Sequence, residues 1–313
     1  MSVLQSRPDH QADDDAPARP LPANDDDAIE RVVEFAPATA VSCSVVVVTY
    51  GTDREDVRAL LAALDRQTTD DFEVLVVDNG TDWPVVNVAG QYDSVRTYAE
   101  AVENLGVTRG RNVGARLATA DVVTFLDDDA VPAPDFVASH LREHRENDLF
   151  AVRGRVHPAT DCVYNRLQSH YDLGDEPAPY YLNIEGNCSV DREAFLELGG
   201  FSERLTGRAG HEGIELTYRA VRAGYDREAI RYSPDPVIYH DNAVSFGQYL
   251  HKRRYRRRYA TDIRDLHPDV FDFTRSYETP GSEREDDATG GLSDRVHELA
   301  VLGVVKVVLT LRD

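Results

Sequence analysis

Lysine is almost absent from this chain of 313 residues, since Lys252 and Lys306 are the only lysines among 34 basic residues. Acidic residues number 56, and the formal net charge at pH 7 is -22. A charge of that size repels DNA, RNA and anionic surfaces at long range, which argues against a nucleic-acid partner. Acid excess with little lysine is typical of proteins that stay soluble in molar salt, where a Debye length of about 3 Å screens self-repulsion. We therefore expect a halophilic source.

Cysteine and long apolar runs are also scarce. The three cysteines, Cys43, Cys162 and Cys188, cannot all pair and show no CxxC spacing, so we expect reduced thiols. No apolar run reaches 18 residues, which excludes an obvious transmembrane helix. Residues 1–30 are polar and acidic and lack the apolar core of a signal peptide. Together these features predict a cytoplasmic protein.

Composition divides the chain into four parts. Residues 1–40 are acidic and contain several prolines, which predicts a disordered tail in which 29–35 could form one ordered element. Residues 41–275 carry the regular hydrophobic patterns and are predicted to form one domain. Residues 276–291 are predicted to be a polar linker, and 292–313 a mainly apolar C-terminal segment.

Short β-branched runs alternate with amphipathic stretches from residue 43 onward. Strands are predicted at 44–50, 72–78, 95–98 and 121–126, and helices at 53–67 and 108–119. This alternation predicts an α/β fold with a mostly parallel sheet flanked by helices. The second half is less regular, with helices predicted at 134–146, 212–222 and 245–259 and strands at 150–156, 225–232 and 237–240.

Three adjacent aspartates, Asp127, Asp128 and Asp129, directly follow the last strand predicted in the first half. Similar triples lie in the acidic tail, so three aspartates alone are weak evidence and a solvated loop is the alternative. These three, however, leave a hydrophobic strand, where mutual repulsion and lost hydration favour a bound cation. Residues two apart on a strand point the same way, so Asp127 and Asp129 can share a site. A divalent cation completed by phosphate oxygens fits these charges.

Short segments of distinctive composition follow one another at 44–50, 74–80, 104–107, 111–114, 125–129, 186–195, 199–203, 210–219 and 237–240. Their joint order resembles family 2 glycosyltransferases of the GT-A fold over roughly residues 43–260, and with the composition it is similar to haloarchaeal enzymes of protein glycosylation. The resemblance implies a GT-A nucleotide-binding sheet with an acceptor-side half in the same domain. It also implies a nucleotide-sugar donor and a Mn²⁺ or Mg²⁺ cofactor.

The resemblance further implies roles for individual residues. The metal would be ligated by Asp129, with His240 as a second ligand or a neighbour, although a lone histidine can equally be structural. The nucleotide sugar would be bound by residues at strand ends and on the helix at 108–119, namely Thr49, Tyr50, Asp78, Arg111, Asp127 and Asp128.

A catalytic base is harder to assign. The family usually supplies it from Glu-Asp, but the residues here are Glu212 and Gly213. Glu212 is the nearest substitute, with His211 as the second candidate. Either could instead be a helix-start residue, because acids favour that end of a helix.

Six cations are concentrated in 251–259 of this otherwise acidic chain. Such a cluster on a helix suits a lipid-linked phosphate or the donor diphosphate, and Arg254 and Arg257 are the predicted contacts. Pairing with the surplus acids is the alternative. Contact with the inner face of the cell membrane is predicted through 251–259 or 292–311.

The leading hypothesis is an inverting, metal-dependent transferase that moves a hexose or hexuronic acid from a nucleotide sugar. Its acceptor would be a glycan linked to polyprenyl or dolichyl phosphate, in protein or S-layer N-glycosylation. The alternative is a non-catalytic sugar-nucleotide-binding or scaffolding subunit, for which Gly213 is the main argument. A nucleotidyltransferase is disfavoured, because 50–53 lack the glycine-rich, arginine-bearing loop that it would need.

The charge balance predicts that folding depends on salt. Circular dichroism and thermal unfolding should report a folded chain in molar KCl and a partly or fully unfolded one without added salt, because the carboxylates then repel one another unscreened. A chain fully folded without added salt would contradict the prediction of a halophilic protein.

Overall fold

Four parallel strands form the centre of the sheet in the computed structural model, which describes residues 27–37, 39–205, 211–279 and 301–306. They lie in the order β4-β3-β2-β5 and are β2 (Cys43–Thr49), β3 (Phe72–Asp78), β4 (Val95–Ala101) and β5 (Val122–Asp127). The helices that connect them in turn are α1 (Arg54–Leu64), α2 (Val85–Ala89) and α3 (Val107–Leu117). The predicted alternation of strands and helices is confirmed.

Successive side chains of the central strands point to opposite faces and enter two hydrophobic clusters. On one face, Val45 and Val47 of β2 pack in the cluster that contains Leu60 of α1. On the other face, Val46 packs in the cluster that contains Val113 of α3. Both faces are therefore covered by helices, which explains why these strands are continuous runs of apolar residues rather than alternating ones.

The chain enters the sheet earlier than residue 41. Strand β1 (Ile29–Glu34) pairs antiparallel with β4 at the edge of the sheet. Ile29 and Val32 are buried in the same cluster as Ala99 of β4, so apolar packing draws this segment out of the acidic stretch. The predicted tail of residues 1–40 is thus too long, and the ordered element allowed at 29–35 is present. Residues 1–26 lie outside the described part of the chain.

The second half of the chain extends the same sheet. Beyond β5 the strands follow in the order β9, β7, β10, β6, with β8 paired to β10. Their bounds are β6 (Val131–Pro132), β7 (Ala151–His157), β8 (Ala178–Pro179), β9 (Asn187–Asp191) and β10 (Ile230–Tyr239). The helices are α4 (Phe136–Glu146), α5 (Val163–Arg166), α6 (Arg192–Glu197), α7 (Glu212–Ala223), α8 (Phe246–Leu266) and α9 (Val270–Arg275). Strand β9 runs antiparallel to both β5 and β7, and so joins the two halves in one sheet.

Two predicted boundaries in this half are wrong. The strands expected at 225–232 and 237–240 are one strand, β10, whose pairing with β7 is interrupted between Tyr232 and Val237. Pro234 and Pro236 lie in this gap, and proline has no N–H to donate to a neighbouring strand. Helix α8, expected to end at 259, continues to Leu266 because Ile263 is buried against α7 and α9.

The C-terminal segment is described only at 301–306, which is helical. Val301 and Val305 pack with Val163 of α5 and Tyr249 of α8, so this turn covers an apolar surface of the domain. Residues 280–300 and 307–313, which include most of the predicted linker, lie outside the described residues. Within the described part, no helix has the length and apolarity needed to cross a membrane.

Close packing of α3 on the sheet depends on Gly114. A Cβ built at this position would lie 2.2 Å from Val46 Cγ1. We expect Gly114→Ala to lower the free energy of unfolding by about 1–3 kcal/mol through overpacking, with up to about 1 kcal/mol offset by the better helix propensity of alanine. The matched control is Gly247→Ala, where an added Cβ meets nothing within 4 Å. Urea unfolding in high salt measures both, and equal midpoints would contradict the prediction.

Candidate active site

A cavity of about 610 Å³ opens where the carboxyl end of β5 meets the segment before β9 and the inner face of α8. Its acidic lining comes from Asp127, Asp128 and Asp129 at the end of β5 and from Glu185. Its basic lining includes Arg111 and Arg256, and about half of the remaining lining residues are histidine or tyrosine. Charged groups of both signs therefore converge at the edge of the sheet where ligands bind in open α/β folds.

Arg111 of α3 connects two of the predicted site residues. Its Nη2 donates to Asp127 Oδ1 at 2.6 Å and its Nη1 donates to Glu212 Oε1 at 3.0 Å. The Arg111 side chain is 3% exposed and that of Glu212 is 2% exposed. Burial alone would lower the pKa of Arg111, but the charges of Asp127 and Glu212 raise it. The guanidinium therefore stays charged and holds the Asp127 carboxylate in place from behind.

Gly186 lets the Asp127 carboxylate sit beside the backbone that precedes β9. The Asp127 amide donates to the Gly186 carbonyl at 3.3 Å. A Cβ built on Gly186 would lie 1.9 Å from Asp127 Oδ2. Any side chain at position 186 would therefore displace the carboxylate, which explains glycine at this point of the predicted acceptor-side segment.

Asp127, Asp129 and His240 form a candidate metal centre. Each can offer one ligand atom, and these atoms lie within 4.8 Å of one another. His240 follows β10, and its Nδ1 lies 3.2 Å from Asp129 Oδ1. That nitrogen is buried and has no hydrogen bond of good geometry to any described residue. Two carboxylates and an orphaned imidazole nitrogen fit a divalent cation.

The ionisation of this group also favours a cation. Burial would raise the pKa of Asp129, but contact with His240 and the charge of Lys252 lower it. Burial would lower the pKa of His240, but contact with Asp129 raises it. Burial and the neighbouring aspartates raise the pKa of Asp128 to about 6, despite the hydrogen bond that its Oδ2 accepts from Thr52 Oγ1 at 2.5 Å. Burial and repulsion between adjacent carboxylates thus favour the protonated form of Asp128 when no cation is bound.

The other residues predicted to bind the nucleotide lie at the ends of β2 and β3, beside the cavity. Thr49 is buried, and Tyr50 is 57% exposed. Asp78 is buried; its Oδ1 accepts the amides of Gly80 and Thr81, and its Oδ2 accepts the Tyr98 hydroxyl at 2.8 Å. Asp78 therefore holds the turn after β3, and none of the three is among the described residues that line the cavity.

The two predicted base candidates are placed differently. His211 lines the cavity and has a left-handed backbone with φ of 76°. Burial lowers its pKa. Glu212 opens α7 but is engaged by Arg111 and is not among the described residues of the cavity wall. Of the two, only His211 can meet a ligand in the cavity directly.

Helix α8 turns a different set of cations toward the cavity from the predicted one. Arg254 is exposed, and the side chain of Arg257 lies outside the described part of the chain. The residues that line the cavity are spaced for one helical face and are His251, Lys252, Tyr255, Arg256 and Tyr259. Arg256 Nη2 lies 3.4 Å from His170 Nε2. The buried Tyr249 and Ile263 mark the same face, so helical spacing could have selected Arg256 from the sequence.

Comparison with known sequences identifies matches over most of the domain. The family model described as glycosyl transferase family 2 matches residues 44–202. A glucosyl-dolichyl phosphate glucuronosyltransferase of Haloferax volcanii is 31% identical over 191 residues, which cover 55% of this chain and 59% of that protein. A validoxylamine A glucosyltransferase of Streptomyces hygroscopicus subsp. limoneus is 32% identical over 228 residues, or 61% of this chain and 50% of that protein. The chain thus spans little more than half the length of these relatives.

Comparison with solved structures gives the fold. A crystal structure of S. aureus TarS superposes with a TM-score of 0.55 at 16% identity, covering 85% of this chain and 80% of that one. GalNAc-T7, crystallised with UDP, GalNAc and Mn²⁺, superposes with a TM-score of 0.50 at 14% identity, covering 68% of this chain and 48% of that one. The GT-A fold predicted from the order of the segments is confirmed.

Gly186 provides a test of the candidate metal centre. We expect Gly186→Ala to weaken Mn²⁺ binding by about 10-fold or more, because the added methyl displaces the Asp127 carboxylate. Calorimetric titration with Mn²⁺ in high salt measures the affinity, and Gly247→Ala serves as the control that leaves it unchanged. Equal affinities for the Gly186 variant and the unmodified chain would exclude Asp127 as a ligand.

Proposed function

The chain belongs to glycosyltransferase family 2, and from that premise we propose that it transfers a hexose or hexuronic acid from a nucleotide-sugar donor to a lipid-linked glycan. The observation that carries this proposal is the group of Asp127, Asp129 and His240 on the wall of a cavity large enough for a sugar nucleotide. The relatives support the sugar classes, since one is a glucuronosyltransferase and another a glucosyltransferase.

The donor diphosphate would meet the protein at the candidate metal centre. Asp127, Asp129 and His240 would hold Mn²⁺ or Mg²⁺, the ion found with UDP in GalNAc-T7 being Mn²⁺. When bound, such an ion supplies Lewis-acid stabilisation of the charge that develops on the diphosphate as the glycosidic bond breaks. Arg111 keeps the Asp127 carboxylate oriented for this role.

The nucleoside would lie over the carboxyl ends of β2 and β3. Tyr50 is an exposed aromatic ring there and could stack on a base. The Thr49 carbonyl accepts the Asn79 amide at 2.9 Å, and Asp78 holds the turn after β3. Asp128 links the end of β5 to this region through the hydrogen bond that it accepts from Thr52. This arrangement would orient the sugar toward the cavity.

The acceptor would approach from the side of α8. Lys252 and Arg256 line the cavity, and cations at that position suit the phosphate of a dolichyl- or polyprenyl-linked acceptor. The Haloferax volcanii relative is named for such a dolichyl phosphate substrate. Arg254 and Arg257, with 292–311, would then contact anionic head groups at the inner face of the cell membrane. The pathway we propose is protein or S-layer N-glycosylation in a halophilic archaeon.

A non-catalytic sugar-nucleotide-binding or scaffolding subunit is the second candidate. It is favoured by Gly213, which replaces the carboxylate expected there, and by the engagement of Glu212 with Arg111. Such a subunit would bind a nucleotide sugar without turning it over, so turnover separates the two candidates.

Asp129→Ala tests the proposed reaction. Release of nucleoside diphosphate from a panel of UDP- and GDP-sugars, with Mn²⁺ in molar salt, should fall by at least about 100-fold because a metal ligand is lost. The control is Asp265→Ala, an exposed aspartate on α8 outside the cavity. Turnover by the Asp129 variant at the rate of the unmodified chain would remove the metal assignment. An unmodified chain that binds but never turns over a nucleotide sugar would favour the scaffolding role.

A further inference from the structure

Glu185 differs from the other carboxylates of the cavity. Among the described lining residues, Asp127 is paired with Arg111, Asp128 accepts a hydrogen bond from Thr52, and Asp129 contacts His240. Glu185 also lines the cavity, with 7% of its surface exposed, but it belongs neither to the candidate metal group nor to an ion pair within the described part of the chain. The Glu185 carboxylate can therefore contact a ligand in the cavity.

The backbone of α7 fixes the position of this carboxylate. Glu185 Oε1 accepts the Gly213 amide at 2.8 Å. Gly213 lies in the first turn of α7, where backbone amides have no partner within the helix and the helix dipole favours a negative charge. Glu185 Oε2 accepts no hydrogen bond from any described residue. One oxygen of Glu185 therefore anchors the carboxylate, and the other can face a substrate. This is the arrangement of a positioned carboxylate rather than of a structural ion pair.

The absence of a side chain at position 213 makes room for Glu185. A Cβ built on Gly213 would lie 2.9 Å from Glu185 Oε1 and 2.9 Å from Leu182 Cβ. The family resemblance predicts an aspartate at 213. Its Cβ alone would crowd the Glu185 carboxylate in its present position. The segment before β9 thus brings a carboxylate to the place where α7 lacks one.

We propose that Glu185 is the general base of sugar transfer, an assignment that rests on the proposed function. Glu185 Oε2 takes the proton of the acceptor hydroxyl while the oxygen of that hydroxyl forms a bond to the anomeric carbon of the donor sugar. The bond from that carbon to the diphosphate oxygen breaks, and its electron pair leaves with the nucleoside diphosphate. The products are the glycosylated acceptor, inverted at the anomeric carbon, and the nucleoside diphosphate, with the proton on Glu185.

The two bases expected from the sequence fit this step less well. Glu212 is 1% exposed, and taking a proton would break its ion pair with the buried Arg111. The cost of leaving that charge without a partner opposes proton transfer. His211 reaches the cavity, but burial lowers its pKa and so weakens it as a proton acceptor. Glu212 then acts as a positioning residue, which holds Arg111 and through it Asp127.

Glu185→Gln tests the assignment with little change of shape, because the amide oxygen can still accept the Gly213 amide. We expect kcat to fall by at least about 100-fold, while the donor KM and the Mn²⁺-dependent affinity for UDP or GDP stay within about threefold. The matched control is Glu73→Gln, which also neutralises a buried glutamate. Glu73 is 4% exposed, accepts hydrogen bonds from Ser44 and Thr119, and lies at the opposite end of β3 from the cavity. Its kcat should not change.

The outcomes separate this assignment from the proposed function. If the unmodified chain turns over a nucleotide sugar and Glu185→Gln keeps its kcat within about threefold, Glu185 is not the base although the proposed function stands. Loss of nucleotide binding in the same variant would also overturn the assignment, because it would make Glu185 a binding or structural residue. If the unmodified chain turns over none of the UDP- or GDP-sugars, the proposed function fails and the base assignment fails with it.

Discussion

The buried interaction of Arg111 with Asp127 and Glu212 is the constraint on which the rest of the site depends. It joins α3, the end of β5 and the start of α7, three elements far apart in the chain. Removing the buried partner Glu212 would cost about 3–5 kcal/mol, because part of the buried charge of Arg111 is left without compensation. The same interaction orients the carboxylate that leads into the candidate metal centre. Stability and site geometry are thus linked through one guanidinium.

Two glycines allow carboxylates to occupy places that a side chain would block. Gly186 gives room to Asp127, and Gly213 gives room and a backbone amide to Glu185. The cavity is therefore acidic for two reasons. The chain has many acidic residues, and the backbone at two glycines lies close enough to hold carboxylates in the cavity wall. On the other side, Lys252 and Arg256 from α8 provide the opposite charge. A cavity with both signs of charge suits the two substrates that we propose. The acidic side would hold the metal-bound diphosphate of the donor, and the basic side the phosphate of the acceptor.

Strand and helix positions in the first half were predictable because continuous β-branched runs indicate strands covered on both faces. The family followed from the order of the segments. Residues two apart leaving a strand could place Asp127 and Asp129 at one site, but the sequence assigned Asp127 to the nucleotide and only Asp129 and His240 to the metal. Contacts between distant segments were not predictable. Nothing near Glu185 in the sequence marks it in a chain with 56 acidic residues, and Glu212 gave no sign of its pairing with Arg111. Arg256 lies among five neighbouring cations, and only the buried face of α8 distinguishes it.

We propose that Asp127, Asp129 and His240 hold a cation that binds the donor diphosphate. Calorimetric titration of the unmodified chain with UDP and GDP in molar salt, with and without Mn²⁺, tests it most directly. We expect Mn²⁺ to strengthen nucleoside diphosphate binding by about 10-fold or more and, reciprocally, the nucleotide to strengthen Mn²⁺ binding. Nucleotide affinity that is the same with and without Mn²⁺ would contradict it.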